Sequence, residues 1–327
     1  MKEINIVEVM TTMVKKCLIL GGTGFLGMNL CDTLLKKGYD VFVYGHRSLH
    51  ALQIKKYFPS IHFIEGDFST EADFYGYLRE MDLVYHLIST TKPSNKNMMF
   101  EFTTNVLPTI RLLDACSKSH ARLIYFSSGG TVYGTPRYIP IDEGHRTEPI
   151  SAYGIHKLTE EKCIEYYGRT YGLDYQILRI SNPYGPWQDI HGSQGVIPIF
   201  LAKILNGEAI DLWGDGSAIR DYIYVEDLMD AVCRISDYHG AERVFNVGSG
   251  EGTSLRQLIN DIKMVTDEPV YVNFLPGRIQ DVPSNILDTT LINREVGWKS
   301  TTSLITGLKK MIGIWDINRK GFFSRKD

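Results

Sequence analysis

Through the first 181 residues, short apolar runs alternate with longer stretches of helical periodicity, and few folds accommodate that pattern. The runs are "KCLIL", "DVFVY", "IHFIEG", "DLVYHLI", "RLIYFSS" and "YQILRIS"; between them lie segments such as "MNLCDTLLKKG" and "TTNVLPTIRLLDACSK". Strands joined through helices pair in parallel by right-handed crossovers. Because the runs are apolar at nearly every position, the sheet is covered on both faces. The expected class is therefore α/β, a doubly wound parallel sheet of the Rossmann type.

From Asn182 the texture changes to a Gly-, Pro- and aromatic-rich stretch, "NPYGPWQDIHGSQG". A helix near "VIPIFLAKILNG" and strands near "IDLW", "YIYV", "VFNVGS" and "VYVNFLP" follow, with helices at "VEDLMDAVCRIS" and "SLRQLINDIKMVT". The expected organisation is a loose leader at 1–13, a dinucleotide-binding domain at 14–182 plus 222–249, and a smaller α/β lobe at 183–221 plus 250–327. Met13 offers an alternative start. The basic C-terminal "NRKGFFSRKD" reads as a frayed tail or a partner patch.

Composition excludes several functions. With 35 Lys and Arg against 38 Asp and Glu in 327 residues, no strong field draws nucleic acid or an anionic membrane to the surface. The uncharged stretch from Cys17 to Cys31 is broken by glycines and too short to span a bilayer core of about 30 Å. The first residues do not follow the order of a secretory signal. Five cysteines (17, 31, 116, 163 and 233) never fall in a Cys-x-x-Cys pair, so neither a disulfide framework nor a metal site is expected, and a reducing cytoplasm is the natural setting.

The first strand-to-helix passage, "CLILGGTGFLGMNL", sets Gly21, Gly24 and Gly27 where a dinucleotide fold needs them. There the chain turns sharply, the backbone approaches a pyrophosphate, and the helix packs close to the strand. At the end of the second strand, where an acid usually binds the adenosine ribose, stand Gly45, His46 and Arg47. That leaves NAD held through other contacts, or tolerance of NADP, both open. Asp67 either accepts from the adenine amino group or caps a helix beginning near Thr70. His86, in "HLIST", reads as a core histidine.

Tyr153 and Lys157 in "SAYGIHKLTEEKCIEYYG" are four apart and share one helix face. A nearby ammonium and an oxidised nicotinamide would both favour the phenolate of a tyrosine otherwise protonated at neutral pH. Such a tyrosine can exchange a proton with a sugar hydroxyl while hydride moves. The pair follows one strand after the glycine-rich "FSSGGTVYG" (126–134).

Taken together, "GGTGFLG", "GDFS", "SSGGTVYG", "YGIHK", "LRISNPYG", "WGDGSAIRDYIYVEDL", "FNVGSG" and "GRIQDVP" resemble the extended short-chain dehydrogenase/reductase superfamily, most closely its UDP-glucose 4-epimerase-like nucleotide-sugar enzymes. The resemblance implies bound NAD, with contacts from Gly21, Gly24, Phe25, Leu26, Gly27, Arg47, Asp67, Phe68, Leu87, Ile88, Ser89, Asn105, Ser127, Tyr153 and Lys157. It implies a nucleoside-diphosphate-sugar substrate held by Asn182, Arg220 and Arg278 at the diphosphate and bordered by Val196 and Trp213. Locally, Asn182 also reads as a turn residue, Arg220 as a partner of Asp221, and Trp213 as core.

In the implied reaction Tyr153 takes the proton of the sugar 4-hydroxyl, hydride passes to NAD, the 4-keto sugar turns over, and hydride returns to the opposite face. The family's loop places a serine or threonine three residues before Val-Tyr-Gly, where this chain has Gly129; Ser128 or Thr131 must then supply the hydroxyl. That departure, with the "YGHRS" strand end, keeps open a reductase of a nucleotide-linked 4-keto-6-deoxy sugar. Helices near 98–118 and 152–168 would form the interface of a homodimer.

Overall fold

A computed structural model of the chain describes residues 14–46, 49–188, 195–277 and 282–319; the leader, Arg47, Arg278 and the last residues of the tail lie outside them. Side chains are described for these residues except 49–52 and 314–319.

Every one of the six early apolar runs forms a strand of a single parallel sheet. From β1 (Lys16–Leu20) the sheet grows one way through β2 (Asp40–Gly45) to β3 (His62–Glu65). It grows the other way through β4 (Leu83–His86), β5 (Arg122–Ser128) and β6 (Tyr175–Ile180). A seventh strand, β10 (Val244–Val247), arrives from far along the chain to pair with β6. The direction of growth reverses at β1, so a crevice opens at the carboxyl ends of β1 and β4, where doubly wound sheets bind ligands.

Alternation along β1 shows why the strands had to be apolar throughout. Cys17 and Ile19 enter one buried cluster, with α1 (Phe25–Lys36) and α8 (Val225–Ser236); Leu18 and Leu20 enter the other, with α5 (Leu107–Cys116) and α6 (Ala152–Tyr171). The remaining helices of this half are α2 (Leu49–Tyr57), α3 (Tyr75–Leu78) and α4 (Met98–Glu101), the last passing through a π-turn at Phe102–Val106 into α5.

The lobe is built from β7 (Asn182–Tyr184), α7 (Val196–Leu205), β8 (Ile210–Trp213), β9 (Ile219–Tyr224), β11 (Gly252–Ser254), α9 (Leu255–Thr266), β12 (Val272–Leu275), β13 (Ser284–Asn285) and α11 (Leu304–Arg319), whereas α10 (Thr290–Val296) returns to pack on β10 and the core under the main sheet. Its core gathers Ile197, Phe200, Leu201, Ile210, Leu212, Leu258 and Leu308. Strand β9 is shared: Tyr222 and Tyr224 point into this core, while Ile223 and the following Val225 point into the core under the main sheet.

Candidate active site

The site is assembled from loops at the carboxyl ends of the parallel strands. After Leu20 the chain turns at Gly21, whose φ of +90° lies in the left-handed region, where a side chain is strained. A Cβ on Gly27 would stand 2.3 Å from the Gly21 carbonyl oxygen and 2.5 Å from Gly22 Cα, so the helix can approach the strand this closely only without one. Gly24 begins α1, no side chain caps it, and no acid stands in its first turn. The N–H groups of Phe25, Leu26 and Gly27 thus stand in the uncapped first turn, at the positive end of a helix dipole, while the Phe25 and Leu26 side chains pack on the core. This turn fits a dinucleotide pyrophosphate.

Around the crevice, Leu87 continues the β1 ladder, its N–H donating to Leu20 O at 3.0 Å. Ile88 closes against Gly21, its N 3.2 Å from where a Cβ on that glycine would sit. Asn105 is buried and accepts from the Thr90 N–H at 2.8 Å, fixing the loop that carries Ser89. At the rim, exposed His46 places Nε2 3.6 Å from Asp67 Oδ1. Asp67 accepts from both the N–H (2.9 Å) and the hydroxyl (2.7 Å) of Ser69. Its carboxyl is held below the usual range by the Ser69 hydroxyl first, with the Ser69 N–H and His46 helping, against the opposing effect of burial. The helix expected near Thr70 does not form: 68–70 is a turn, and the next helix starts at Tyr75. Phe68 is buried against Phe74 and His86.

Tyr153 and Lys157 lie in the first turns of α6, which Ser151 caps by accepting from the Gly154 N–H at 3.0 Å. Burial pushes the Tyr153 phenol well above its ordinary value, the Glu160 carboxylate adds to this, and a hydrogen bond with Ser89 opposes it. By itself, then, the site holds a protonated phenol. Lys157 is buried; its Nζ donates to Phe126 O at 3.1 Å and lies 3.7 Å from Glu160.

"FSSGGTVYG" forms the wall beside them. Ser127 turns its hydroxyl into the core, to Glu161 Oε1 at 2.5 Å. Tyr133 is buried and donates to Asn246 Oδ1 at 2.7 Å. A Cβ on Gly129 would meet Leu287 Cδ1 at 2.7 Å and Arg179 O at 3.0 Å, so glycine is there for packing. Of the two candidate hydroxyls, Thr131 Oγ1 is sealed from solvent and has no hydrogen-bond partner among the described residues. Ser128 is partly exposed, with Oγ 4.0 Å and Asn182 Oδ1 3.9 Å from the position a Cβ on Gly130 would take, so both face the same space.

On the lobe side, Asn182 opens β7 rather than a turn, its Nδ2 donating to Asp221 O at 2.9 Å. Arg220 is half-buried on β9. The neighbouring Asp221 points the other way, fully buried and taken up by the Ser249 N–H (2.8 Å) and hydroxyl (2.7 Å) and by the N–H groups of Gly250 and Leu287. Val196 starts α7. Trp213 is 42% exposed at the end of β8, so it is not a core residue. His86 is in the core as expected; its Nε2 meets Thr109 Oγ1 at 2.9 Å.

Sequence reasoning missed the buried acids. Glu160, Glu161 and Glu101 are all 0% exposed. Glu161 pairs with Arg179 at 2.7 Å and ties α6 to β6, and Glu101 lies 2.7 Å from His156 Nδ1. The signal was present in "HKLTEE", whose glutamates follow Lys157 by three and four residues on the helix face that carries Tyr153.

This sheet, with its glycine turn and a Tyr-x-x-x-Lys helix beside it, defines the extended short-chain dehydrogenase/reductase class. The chain belongs to the NAD dependent epimerase/dehydratase family, whose model matches residues 17–248. It is 34% identical over 308 residues to a UDP-glucose 4-epimerase of Mycolicibacterium smegmatis, covering 91% of this chain and 97% of that one. An Escherichia coli dTDP-4-dehydro-6-deoxyglucose reductase is 32% identical, with 90% and 96% covered. The crystal structure of a Thermotoga maritima UDP-glucose 4-epimerase with UDP-glucose superposes with a TM-score of 0.87 at 32% identity, covering 93% of this chain and 99% of that one.

Proposed function

We propose that the protein is an NAD-dependent 4-epimerase of a nucleoside-diphosphate sugar, of the UDP-glucose and UDP-galactose type. What supports this reading is the similarity of the chain over its length to such epimerases, together with Tyr153 and Lys157 in the first turns of α6, whose Lys157 Nζ donates to Phe126 O of β5, the strand that ends at Ser128. NAD, held at the Gly21–Gly27 turn and along Leu87–Ser89, would supply reversible hydride acceptance at sugar carbon 4. Tyr153 would remove and return the proton of the 4-hydroxyl, and Lys157 would offset the phenolate charge.

Ser128 would hold the 4-oxygen, because its hydroxyl faces open space while that of Thr131 is sealed. Asn182, Arg220 and Arg278 would take the diphosphate, with Val196 and Trp213 beside the base. In this division of labour residues 14–182 plus 222–249 carry the cofactor, and 183–221 plus 250–327 the substrate.

The exposed Met98, Met99 and Phe100 on α4, Leu107 on α5 and Tyr166 and Tyr171 on α6 support a homodimer joined through these helices. The five cysteines are free thiols, which suits a reducing cytoplasm. Among the described residues no helix is long and apolar enough to cross a membrane.

The test is to denature the purified protein, identify the released nucleotide, and offer fresh protein UDP-hexoses. Released NAD and interconversion without added cofactor are expected, with Tyr153→Phe lowering turnover about 10²- to 10⁴-fold. A protein that instead emerges empty and consumes NADPH stoichiometrically with a 4-keto-6-deoxy sugar nucleotide is a reductase.

A further inference from the structure

An ammonium as deeply buried as that of Lys157, at 2% exposure, neutralises unless neighbouring charge or hydrogen bonds hold its proton. Besides Phe126 O, its Nζ stands 4.8 Å from the centroid of the Tyr125 ring and 3.7 Å from Glu160 Oε2. Burial raises the proton affinity of Glu160, and Lys157 with the Tyr125 and Thr109 hydroxyls opposes that rise. Thr109 Oγ1 donates to its Oε1 at 2.8 Å, and the Tyr125 hydroxyl donates to its Oε2. Because the Thr109 proton goes to Glu160, His86 Nε2 is the donor in its 2.9 Å contact with Thr109.

The other titratable groups around Lys157 are engaged elsewhere or neutral. On α6, burial and then Lys157 push His156 down to about 2, so it is uncharged at neutral pH. Glu161 is paired with Arg179 of β6. On α4, Glu101 accepts from Asn95 and Asn105 and sits against His156. His86 of β4 is held neutral by burial and by Lys157. Tyr125 of β5 and Tyr153 of α6 are both kept protonated by burial first. Glu160 is thus the carboxylate placed for Lys157.

We propose that Glu160 is a positioning residue whose buried carboxylate keeps Lys157 an ammonium inside the site. This rests on the reading of Tyr153 and Lys157 as the proton-handling pair. Burial lowers the proton affinity of Lys157, and Glu160 is the largest influence raising it. Without Glu160, Lys157 gives up its proton at lower pH and the site loses its charge earlier as pH rises.

Lysine labelled with ¹³C at Cε reports the titration directly, and Lys157→Met identifies the Lys157 resonance. In Glu160→Gln the midpoint is expected to fall by about one pH unit or more, a tenfold loss of proton affinity, and in Glu160→Asp by less. The alkaline limb of kcat is expected to move the same way while KM for the UDP-hexose holds. Midpoints that coincide in wild type and both variants would overturn the proposal. Should Glu160→Gln not fold, Glu160→Asp decides alone: its midpoint must lie below that of wild type. A fallen midpoint in a protein that turns over no UDP-hexose leaves Glu160 assigned and sinks the epimerase reading. Sugar interconversion with coincident midpoints does the reverse.

Discussion

Two glycine-rich segments end two strands of the same sheet, and their glycines answer to different neighbours. In "GGTGFLG" the demand is local: a turn at Gly21 with φ of +90° and a helix pressed onto it at Gly27. In "FSSGGTVYG" the demand comes from the far end of the chain. Leu287 and the Arg179 carbonyl fill the space beside Gly129, and Asn285, 156 residues on, donates to the Gly129 oxygen at 3.0 Å. The first segment makes room for a ligand; the second makes room for the rest of the protein. The space at Gly129 is therefore taken by packing, which is why the proposed hold on the 4-oxygen falls to Ser128 beside it.

The sharpest way to break this contrast is Gly27→Val. Its side chain would meet the backbone of Gly21 and Gly22, so bound nucleotide should vanish from the denatured extract, turnover with it, at a stability cost of about 3 kcal/mol or more. Retained nucleotide would show that the turn is not the phosphate seat. Next in size is Ser128→Ala, expected to lower kcat about 10²- to 10³-fold with Thr131→Val within about tenfold of wild type. The opposite ranking would hand the 4-oxygen to Thr131. The smallest effects separate the adjacent glycines. Gly129→Ser should cost about 1–3 kcal/mol in denaturant unfolding, whereas Gly130→Ala, with nothing nearer than 3.9 Å, should stay within about 0.5 kcal/mol. Equal costs at 129 and 130 would remove the packing argument.

What the sequence made legible was whatever depends on neighbours in the chain. Strand runs, the glycine turn and the four-residue step from Tyr153 to Lys157 follow from local periodicity, and the sheet and family followed from them. The unread part depends on contacts across the fold. Nothing near Gly129 announces Leu287. The burial of Glu160 becomes visible only when α6 is laid on α5 and β5, where Thr109 and Tyr125 supply its donors. Asp67 was ambiguous for a local reason: an Asp-Phe-Ser run makes a side-chain turn as readily as a helix start, and the turn formed.

Strand β9 sends alternate side chains into two cores and runs straight into α8. A lobe stitched to the sheet in this way cannot swing aside as a rigid flap without unpicking both interiors at once. In the proposed reaction the half-turn of a keto sugar would then be made beside an anchored lobe, with clearance from the open space at Gly130, which Ser128 and Asn182 border.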